Sequence, residues 1–201
     1  MINKILNPIK NFLSTKTLEQ QTKPIQKNPI VVSLSAGPGV GKSVAASRLY
    51  AELKMKGVNC ELVTEYPKDL TWDQSYFLLG HQLSIFAEQH RRLWRLKNKV
   101  DVIISDSSML LGLAYQEKRD QIYENYVVYE YNKFKHKNYF LIREGNYQSI
   151  GRNQTAEEAQ EKDFQIKAIM DEYKIEYKLM NRDNIQEIVN EIINELDNKN
   201  S

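Results

Sequence analysis

The chain is poor in the features that mark secreted and membrane-embedded proteins. Cys60 is its only cysteine, so it has no disulfide framework, and a reducing, cytoplasmic setting is expected. No apolar run approaches the ~18 residues that a membrane-spanning helix needs. No continuous apolar segment follows the N-terminus, so no signal peptide is predicted. The formal net charge is only +2, which provides no bulk electrostatic argument for a nucleic-acid partner.

Short apolar strand patterns alternate with longer helical patterns from residue 29 onward. Strands are predicted at residues 30–34, 58–64, 100–105, 139–143 and 175–180. Helices are predicted at residues 42–56, 72–97, 109–135, 155–173 and 184–196. Such alternation gives right-handed crossovers between parallel strands. We therefore expect an α/β fold with a doubly wound, mainly parallel five-stranded sheet, helices on both faces, and a ligand site at the carboxyl ends of the strands.

Residues 1–28 precede this pattern and have a different character. Six apolar residues recur there at helical spacing, namely Ile2, Ile5, Leu6, Ile9, Phe12 and Leu13. A polar stretch follows and is typical of a linker. We therefore divide the chain into an N-terminal amphipathic helix with its linker, residues 1–28, and a second domain, residues 29–201. The helix either packs loosely on that domain or docks on a partner or a membrane surface.

The first predicted strand runs directly into a glycine-rich loop. Ala36, four further residues and then Gly41-Lys42-Ser43 fit the Walker A pattern that allows alanine at the first position. The glycines let backbone N–H groups turn toward a phosphate, and the following helix points its N-terminus at the same anion. The residues expected to bind a nucleotide are Gly37, Gly39, Val40, Gly41, Lys42, Ser43 and Val44. Lys42 is expected to reach the β- and γ-phosphates and Ser43 to bind Mg²⁺, so ATP and Mg²⁺ are the predicted cofactors, with GTP left open as donor.

An aspartate ends the third predicted strand. Asp106 is predicted to hold Mg²⁺ together with Ser43, because a phosphate loop requires an acid at that edge of the sheet. The alternative is that Asp106 caps the following helix. The next residue is Ser107 rather than a glutamate, which argues against a hydrolytic motor that activates water there.

A second acid, Glu65, ends the second predicted strand and should therefore lie close to the phosphate loop. Phosphoryl transfer needs positioning and charge neutralisation, and a carboxylate near the acceptor oxygen suffices as a base. Glu65 is the predicted base and substrate contact, and Asp69 is a weaker second candidate. The alternative is a surface acid or an ion pair with Lys68.

Basic and amide groups occupy two further segments. Arg143 and Arg152 flank a polar loop that is predicted to close over the donor phosphates, since arginine binds phosphate oxygens bidentately. In the predicted helix at residues 72–97, Gln82 and Arg92 are predicted to contact the acceptor, although a solvated charged face would also explain the pattern. The apolar residues of that helix predicted to be core are Leu79, Leu83, Phe86 and Leu93.

Taken in order, the tracts AGPGVGKS, TEYPKD, LLGHQLSIFAEQ, VDVIISDSS and SIGRNQTAEEAQEKDFQIKAIMDE resemble P-loop nucleoside and nucleotide kinases. In particular, residues 29–196 are similar to the ribosylnicotinamide-kinase domain of NadR-type proteins, an AAA-type domain, and to its small stand-alone relatives in phages. The resemblance implies a P-loop NTPase fold, ATP·Mg²⁺ bound by Lys42 and Ser43, catalysis through Glu65 or Asp106, and Arg152 in a lid. Residues 29–201 would then be a P-loop kinase domain.

Two departures from these families bear on the substrate. Deoxynucleoside kinases carry a D/E-R-S motif after the third strand, where this chain has Asp106-Ser107-Ser108. The adenylyltransferase domain of the NadR-type regulator has no counterpart in these 201 residues. Nicotinamide riboside is therefore one acceptor among several, and the resemblance does not single it out.

The leading hypothesis is ATP-dependent, Mg²⁺-assisted phosphoryl transfer to a nucleoside or nucleotide. One alternative is a kinase that acts on polynucleotide or on a modified DNA base. The other is a nucleotide-dependent switch or assembly ATPase that docks through its N-terminal helix. The acceptor and the oligomeric state are left open, and a homodimer is compatible with this class, because kinases of this shape often pair through helices.

Overall fold

The computed structural model describes residues 28–143 and 155–200. Its strands are β1 (Ile30–Ser35), β2 (Cys60–Val63), β3 (Val102–Ser105), β4 (Lys135–Leu141) and β5 (Lys178–Met180). Its α-helices are α1 (Lys42–Met55), α2 (Tyr66–Trp72), α3 (Tyr76–Leu79), α4 (Gln82–Trp94), α5 (Gln121–Tyr131), α6 (Ala156–Glu172) and α7 (Ile185–Asn200). A 3₁₀ helix covers Met109–Tyr115. The N-terminal helix predicted within residues 1–28 lies almost wholly outside the described residues.

The five strands form one sheet in the order β2-β3-β1-β4-β5. Every pairing between neighbours is parallel. Ile30 of β1 is in register with Val102 on one side and with Lys135 on the other. The predicted parallel five-stranded sheet is therefore confirmed. Because β1 has later strands on both sides, its carboxyl end lies at the point where the winding reverses, which is where open α/β sheets bind ligands.

Both faces of the sheet are covered by helices, as the sequence predicts. Side chains of β1 alternate between two apolar clusters, since successive strand residues point to opposite faces. Val32 belongs to the cluster that includes buried residues of α1, α6 and α7. Val31 belongs to the cluster that includes buried residues of α4 and α5. Among the described helices, none combines the length and apolar character that a bilayer crossing needs.

The prediction of one long helix at residues 72–97 is wrong. The chain forms α2, α3 and α4 instead, with Pro67 in the first turn of α2, where proline is tolerated because the N–H is not needed. Gln74 adopts a left-handed φ of 54°, which ends α2 and separates it from α3. Leu83 was predicted to be core but is 53% exposed, whereas Phe86 and Leu93 are buried.

The predicted start of β4 at residue 139 is also wrong, because the strand begins at Lys135. The segment Lys135-His136-Lys137 lacks the apolar pattern of a strand. Its lysines pair instead with acids of α7, since Lys137 lies 2.6 Å from Glu191 and 2.9 Å from Glu195. His136 stacks on Tyr131 with ring centroids 3.6 Å apart. Tertiary contacts therefore extend this strand by four residues.

A capping box forms at the start of α6. The Thr155 hydroxyl accepts a hydrogen bond from the Glu158 N–H at 3.2 Å, and Glu158 Oε2 accepts one from the Thr155 N–H at 2.8 Å. These two bonds satisfy backbone donors that the first helical turn leaves without partners. The start of α6 is thus fixed by the chain itself.

Candidate active site

The phosphate loop wraps around the N-terminus of α1. Gly39 and Gly41 have φ of 86° and 97°, values that favour glycine, and Gly41 is the N-cap residue of α1. The Lys42 ammonium donates hydrogen bonds to the carbonyl oxygens of Ala36 at 2.9 Å and Gly37 at 3.1 Å. The loop therefore closes over its own lysine at the end of the helix where an anion is favoured.

The residues predicted to bind nucleotide do not all face the same way. Five of them line one cavity, namely Gly39, Gly41, Lys42, Ser43 and Val44. Val40 is 4% exposed and packs in the core. Gly37 lies against α6, because a Cβ on it would overlap the carbonyl oxygen of Ala159. Only a glycine lets the loop and the helix backbone approach this closely.

An ion pair holds the outer side of the loop. Asp163 of α6 accepts a hydrogen bond from the Gly37 N–H at 2.5 Å and one from Arg143 Nε at 2.9 Å. Arg143 Nη1 donates to the Pro38 carbonyl oxygen at 2.9 Å, and Nη2 donates to that of Ala159 at 3.2 Å. Arg143 thus braces the phosphate loop through hydrogen bonds to the protein, and its predicted contact with the donor phosphates remains a prediction. Arg152 lies outside the described residues.

Ser43 and Asp106 meet at the carboxyl end of β3. The Ser43 hydroxyl donates to Asp106 Oδ2 at 2.9 Å. Burial raises the pKa of Asp106, whereas the Ser43 hydrogen bond and the Lys42 charge act in the opposite direction. The helix cap that was the alternative role of Asp106 belongs to Ser108, whose hydroxyl accepts from the Leu110 N–H at 3.3 Å.

This pair fits Mg²⁺ in its chemistry. Asp106 is 2% exposed, and its Oδ1 has no hydrogen-bond partner in the described part of the chain. A buried carboxylate oxygen without a partner is costly unless a donor or a cation satisfies it. Mg²⁺ prefers oxygen ligands and is usually held by one or two protein groups together with substrate phosphates. Residues 28–143 and 155–200 contain no cluster of three or more His, Cys, Asp or Glu that could hold a metal ion on its own.

Glu65 follows β2 and is the N-cap residue of α2. Its backbone is extended, with φ −70° and ψ 124°, and its side chain makes no capping hydrogen bond to that helix. Glu65 lines the same cavity as the phosphate loop. The sequence prediction that Glu65 lies near the loop therefore agrees with the geometry, and its role as a base remains a prediction.

The other two candidates near Glu65 are paired with each other. Arg92 Nη2 lies 2.5 Å from Asp69 Oδ2, and Arg92 Nε donates to Glu88 at 3.0 Å. Neither Arg92 nor Asp69 lines the cavity, whereas Gln82 does. Arg92 therefore lies behind the site, where it contacts the chain around Glu65.

One cavity of about 520 Å³ joins these groups. Its donor half is bounded by the phosphate loop. Its other half is bounded by Glu65 and by residues of α4 and the 3₁₀ helix, among them Gln82, Ile85, Phe86, Gln89 and Leu111. Apolar walls with a few convergent polar groups are typical of sites for small ligands. The phosphate loop and α4 therefore line the same cavity.

Three cavity or loop residues had no predicted role. Asp163 acts across 126 residues of sequence, so no local pattern identifies it. Gln89 lies in the same apolar helical pattern as its buried neighbours. Arg182 follows β5 and lines the cavity, and a Cβ on Gly41 would lie 3.4 Å from its Cδ. The one signal in the sequence for Arg182 was its place just after the last strand, because a residue there lies at the carboxyl edge of the sheet.

The parallel sheet, the glycine-rich loop and the Ser43–Asp106 pair define a P-loop nucleotide-binding domain. A family model described as an AAA domain matches residues 31–187, and the chain belongs to that family. No curated protein matches the chain.

Two similar solved structures are both of deoxyadenosine kinase from M. mycoides. The structure with the products dCMP and a flexible dCDP bound is 16% identical, has a TM-score of 0.51, and matches over 85% of this chain and 99% of that one. The structure with bound dATP is 15% identical, has a TM-score of 0.49, and matches over 84% and 99% of the two chains. The first likeness shows that this chain shares the α/β fold of that deoxyadenosine kinase.

Proposed function

We propose that this protein transfers the γ-phosphoryl group of ATP to a hydroxyl group of a nucleoside or nucleotide. The observation that carries the proposal is the single cavity that runs from the phosphate loop to Glu65 and α4. A hydrolytic switch needs room for a nucleotide and a water molecule, whereas this cavity also offers a wall for a second substrate. Phosphoryl transfer is achieved largely by positioning and electrostatics, which such an arrangement supplies.

The donor half has the groups that a triphosphate requires. Backbone N–H groups of the loop and the N-terminus of α1 favour the phosphates, and Lys42 can turn from the loop carbonyls to the β- and γ-phosphates. Ser43 and Asp106 would hold Mg²⁺, which neutralises charge on the phosphate oxygens. Arg182 adds a cation beside Gly41. Arg152 is proposed to close over the phosphates from the lid.

The acceptor half suits a flat, mainly uncharged ring with polar edges. Ile85, Phe86 and Leu111 offer apolar surface for a base, and Gln82 offers an amide that can pair with a base edge. Glu65 accepts the proton of the attacking hydroxyl as its oxygen bonds to the γ-phosphorus and the bond to the β–γ bridging oxygen breaks, which leaves ADP. Lys68 lines the same region and adds positive charge near the reacting oxygens.

The sequence resemblance makes nicotinamide riboside one specific acceptor to consider. The similar kinase structure holds pyrimidine deoxynucleotides, so deoxycytidine and its monophosphate are the second choice. The neutral ring of cytosine fits both the apolar slot and the amide of the acceptor half, whereas the ring of nicotinamide riboside is cationic and matches the amide through its carboxamide group.

The test is phosphoryl transfer from γ-labelled ATP with Mg²⁺ across ribonucleosides, deoxynucleosides, their monophosphates, nicotinamide riboside and single-stranded DNA. Lys42→Ala and Glu65→Gln serve as controls with strongly reduced transfer. A labelled small molecule whose rate of formation falls sharply in both variants would establish the kinase and identify its acceptor. ATP binding without any transfer would reject the proposal and favour the switch.

One observation favours a polynucleotide acceptor as a second candidate. Trp72 lines the cavity and is 69% exposed, and Tyr76 and Phe77 follow on α3 with 51% and 91% exposure. Exposed aromatic side chains at the mouth of a site can stack the bases that flank a reacting nucleotide. Label that appears in DNA alone would support this candidate over the small-molecule kinase.

A further inference from the structure

The backbone on both sides of Glu65 is held by one buried side chain of α4. The Tyr66 N–H donates to Gln89 Oε1 at 3.1 Å, and Gln89 Nε2 donates to the Thr64 carbonyl oxygen at 3.4 Å. Gln89 is 4% exposed, so these bonds are shielded from water. One amide therefore spans the residues immediately before and after Glu65.

Arg92, one turn further along α4, holds the same segment from outside the cavity. Its Nη1 donates to the Thr64 carbonyl oxygen at 3.2 Å and to the Thr64 hydroxyl at 3.3 Å. Its Nη2 binds Asp69 of α2 at 2.5 Å, and its guanidinium lies 5.1 Å from the Tyr66 ring centroid. A planar guanidinium fixed at several points restrains orientation as well as position.

These contacts fix the start of α2, which is the task that an N-cap side chain normally performs. An N-cap side chain usually bonds back to the first turn and so fixes where the helix begins. The Glu65 side chain does not cap α2, although Glu65 is the N-cap residue. Gln89 and Arg92 fix the start of α2 from the neighbouring helix. The Glu65 side chain is thus not used as a cap, and Glu65 lines the cavity.

We propose that Gln89 and Arg92 are positioning residues that set Glu65 against the acceptor hydroxyl. Because α4 also carries Gln82 and Phe86 on the cavity wall, the helix that contacts the acceptor holds the base as well. Acceptor binding and base placement then depend on one rigid element. This inference rests on the proposed function, in which Glu65 accepts the proton.

The test compares Gln89→Leu and Arg92→Met with Arg91→Met as matched control. Arg91 bonds the same Glu88 at 2.7 Å and 2.9 Å but has no described contact with Thr64 or Asp69. We expect kcat to fall by about 10²-fold in the first two variants, since a displacement of about 1 Å can cost that much. The dissociation constant of ATP should stay close to that of Arg91→Met, which should retain full activity. Gln89→Leu should unfold at a lower temperature than Arg91→Met, because it leaves the part-buried Tyr66 N–H without its acceptor.

A double-mutant cycle separates positioning from a general structural effect. In a Glu65→Gln background, Gln89→Leu should reduce kcat by no more than about 2-fold, because residues that act as a unit are not additive. A full additional loss would overturn the positioning role. If Glu65→Gln alone retains wild-type activity, Glu65 is not the base and the proposed function fails on that point. This result differs from failure of the positioning role, in which Glu65→Gln loses activity but the two substitutions are additive.

Hydrogen exchange of the Tyr66 amide gives a readout that needs no activity. Loss of the Gln89 acceptor should speed exchange at Tyr66 in Gln89→Leu and leave it unchanged in Arg91→Met. Unchanged exchange in Gln89→Leu would show that Gln89 does not hold this segment, whatever the chemistry of the site.

Discussion

Gly37→Ala should damage the phosphate loop through a single added methyl group. The new Cβ would overlap the Ala159 carbonyl oxygen and lie 3.0 Å from Asp163 Oδ1 and 3.2 Å from Arg143 Nη2. The first of these neighbours is helix backbone, which cannot rotate away as a side chain can. Either α6 or the loop must therefore move, and the Gly37–Asp163 hydrogen bond is stretched in both cases.

The expected cost follows from the kind of strain. Overpacking a tight contact costs about 1–3 kcal/mol. The weakened hydrogen bond to a charged group places Gly37→Ala in the upper part of that range, at about 2–3 kcal/mol. For a chain of this size, each kcal/mol lowers Tm by roughly 2–4 °C, so a fall of roughly 4–12 °C is expected.

The assay is calorimetric unfolding together with ATP binding, and Gly80→Ala is the matched control. A Cβ on Gly80 would meet only the Phe77 carbonyl oxygen at 3.7 Å, and Gly80 has φ −74°. Gly80→Ala should change stability by less than about 0.5 kcal/mol or raise it slightly. If Gly37→Ala unfolds like the wild type and binds ATP equally well, the tight contact between the loop and α6 is not required, and the reasoning is refuted.

Three further outcomes are expected. Asp106→Asn should raise Tm by a few degrees, because burial raises the pKa of Asp106 and the ionised carboxylate therefore costs stability at neutral pH. The same substitution should abolish Mg²⁺-dependent ATP binding. A lower Tm for Asp106→Asn would contradict the argument from burial. The Arg119 hydrogen bond lowers the pKa of Glu124 from 4.5 to about 2, so the stability it provides is present above pH 4.5 and is lost as pH falls toward 2. Glu124→Gln should flatten that acid limb in unfolding curves, and an unchanged limb would argue against it. Arg182→Ala should weaken ATP binding about tenfold by titration calorimetry, and equal affinity would remove Arg182 from the donor site.

The phosphate loop and the sheet could be predicted because their signals are local. Gly41-Lys42-Ser43 follows an apolar strand within a few residues, and the Thr155–Glu158 cap spans a single turn. Strand-helix alternation then fixed the fold class. The meeting of Ser43 and Asp106 could be predicted only because an open α/β sheet brings the carboxyl ends of neighbouring strands together.

The remaining parts of the site depend on contacts between distant segments. The charge of Arg92 would suit a substrate, and nothing in the sequence of its helix shows that its guanidinium is already hydrogen-bonded to Asp69 and Thr64. Gln89 looks like one polar residue among many on α4. That β4 begins at Lys135 cannot be read from the sequence, because the lysines at its start are paired with acids that α7 supplies only in the folded chain. In each case the partner lies tens of residues away, so one-dimensional patterns could not identify the pair.

The central place of β1 has a consequence for the order in which the protein is made. β1 and the phosphate loop leave the ribosome before their partners β3, β4 and α6. The contact that seats Gly37 needs Asp163, so a chain arrested before α6 lacks a finished loop. A translation product that ends before α6 should therefore bind nucleotide poorly, and ATP binding should begin only once α6 has been made.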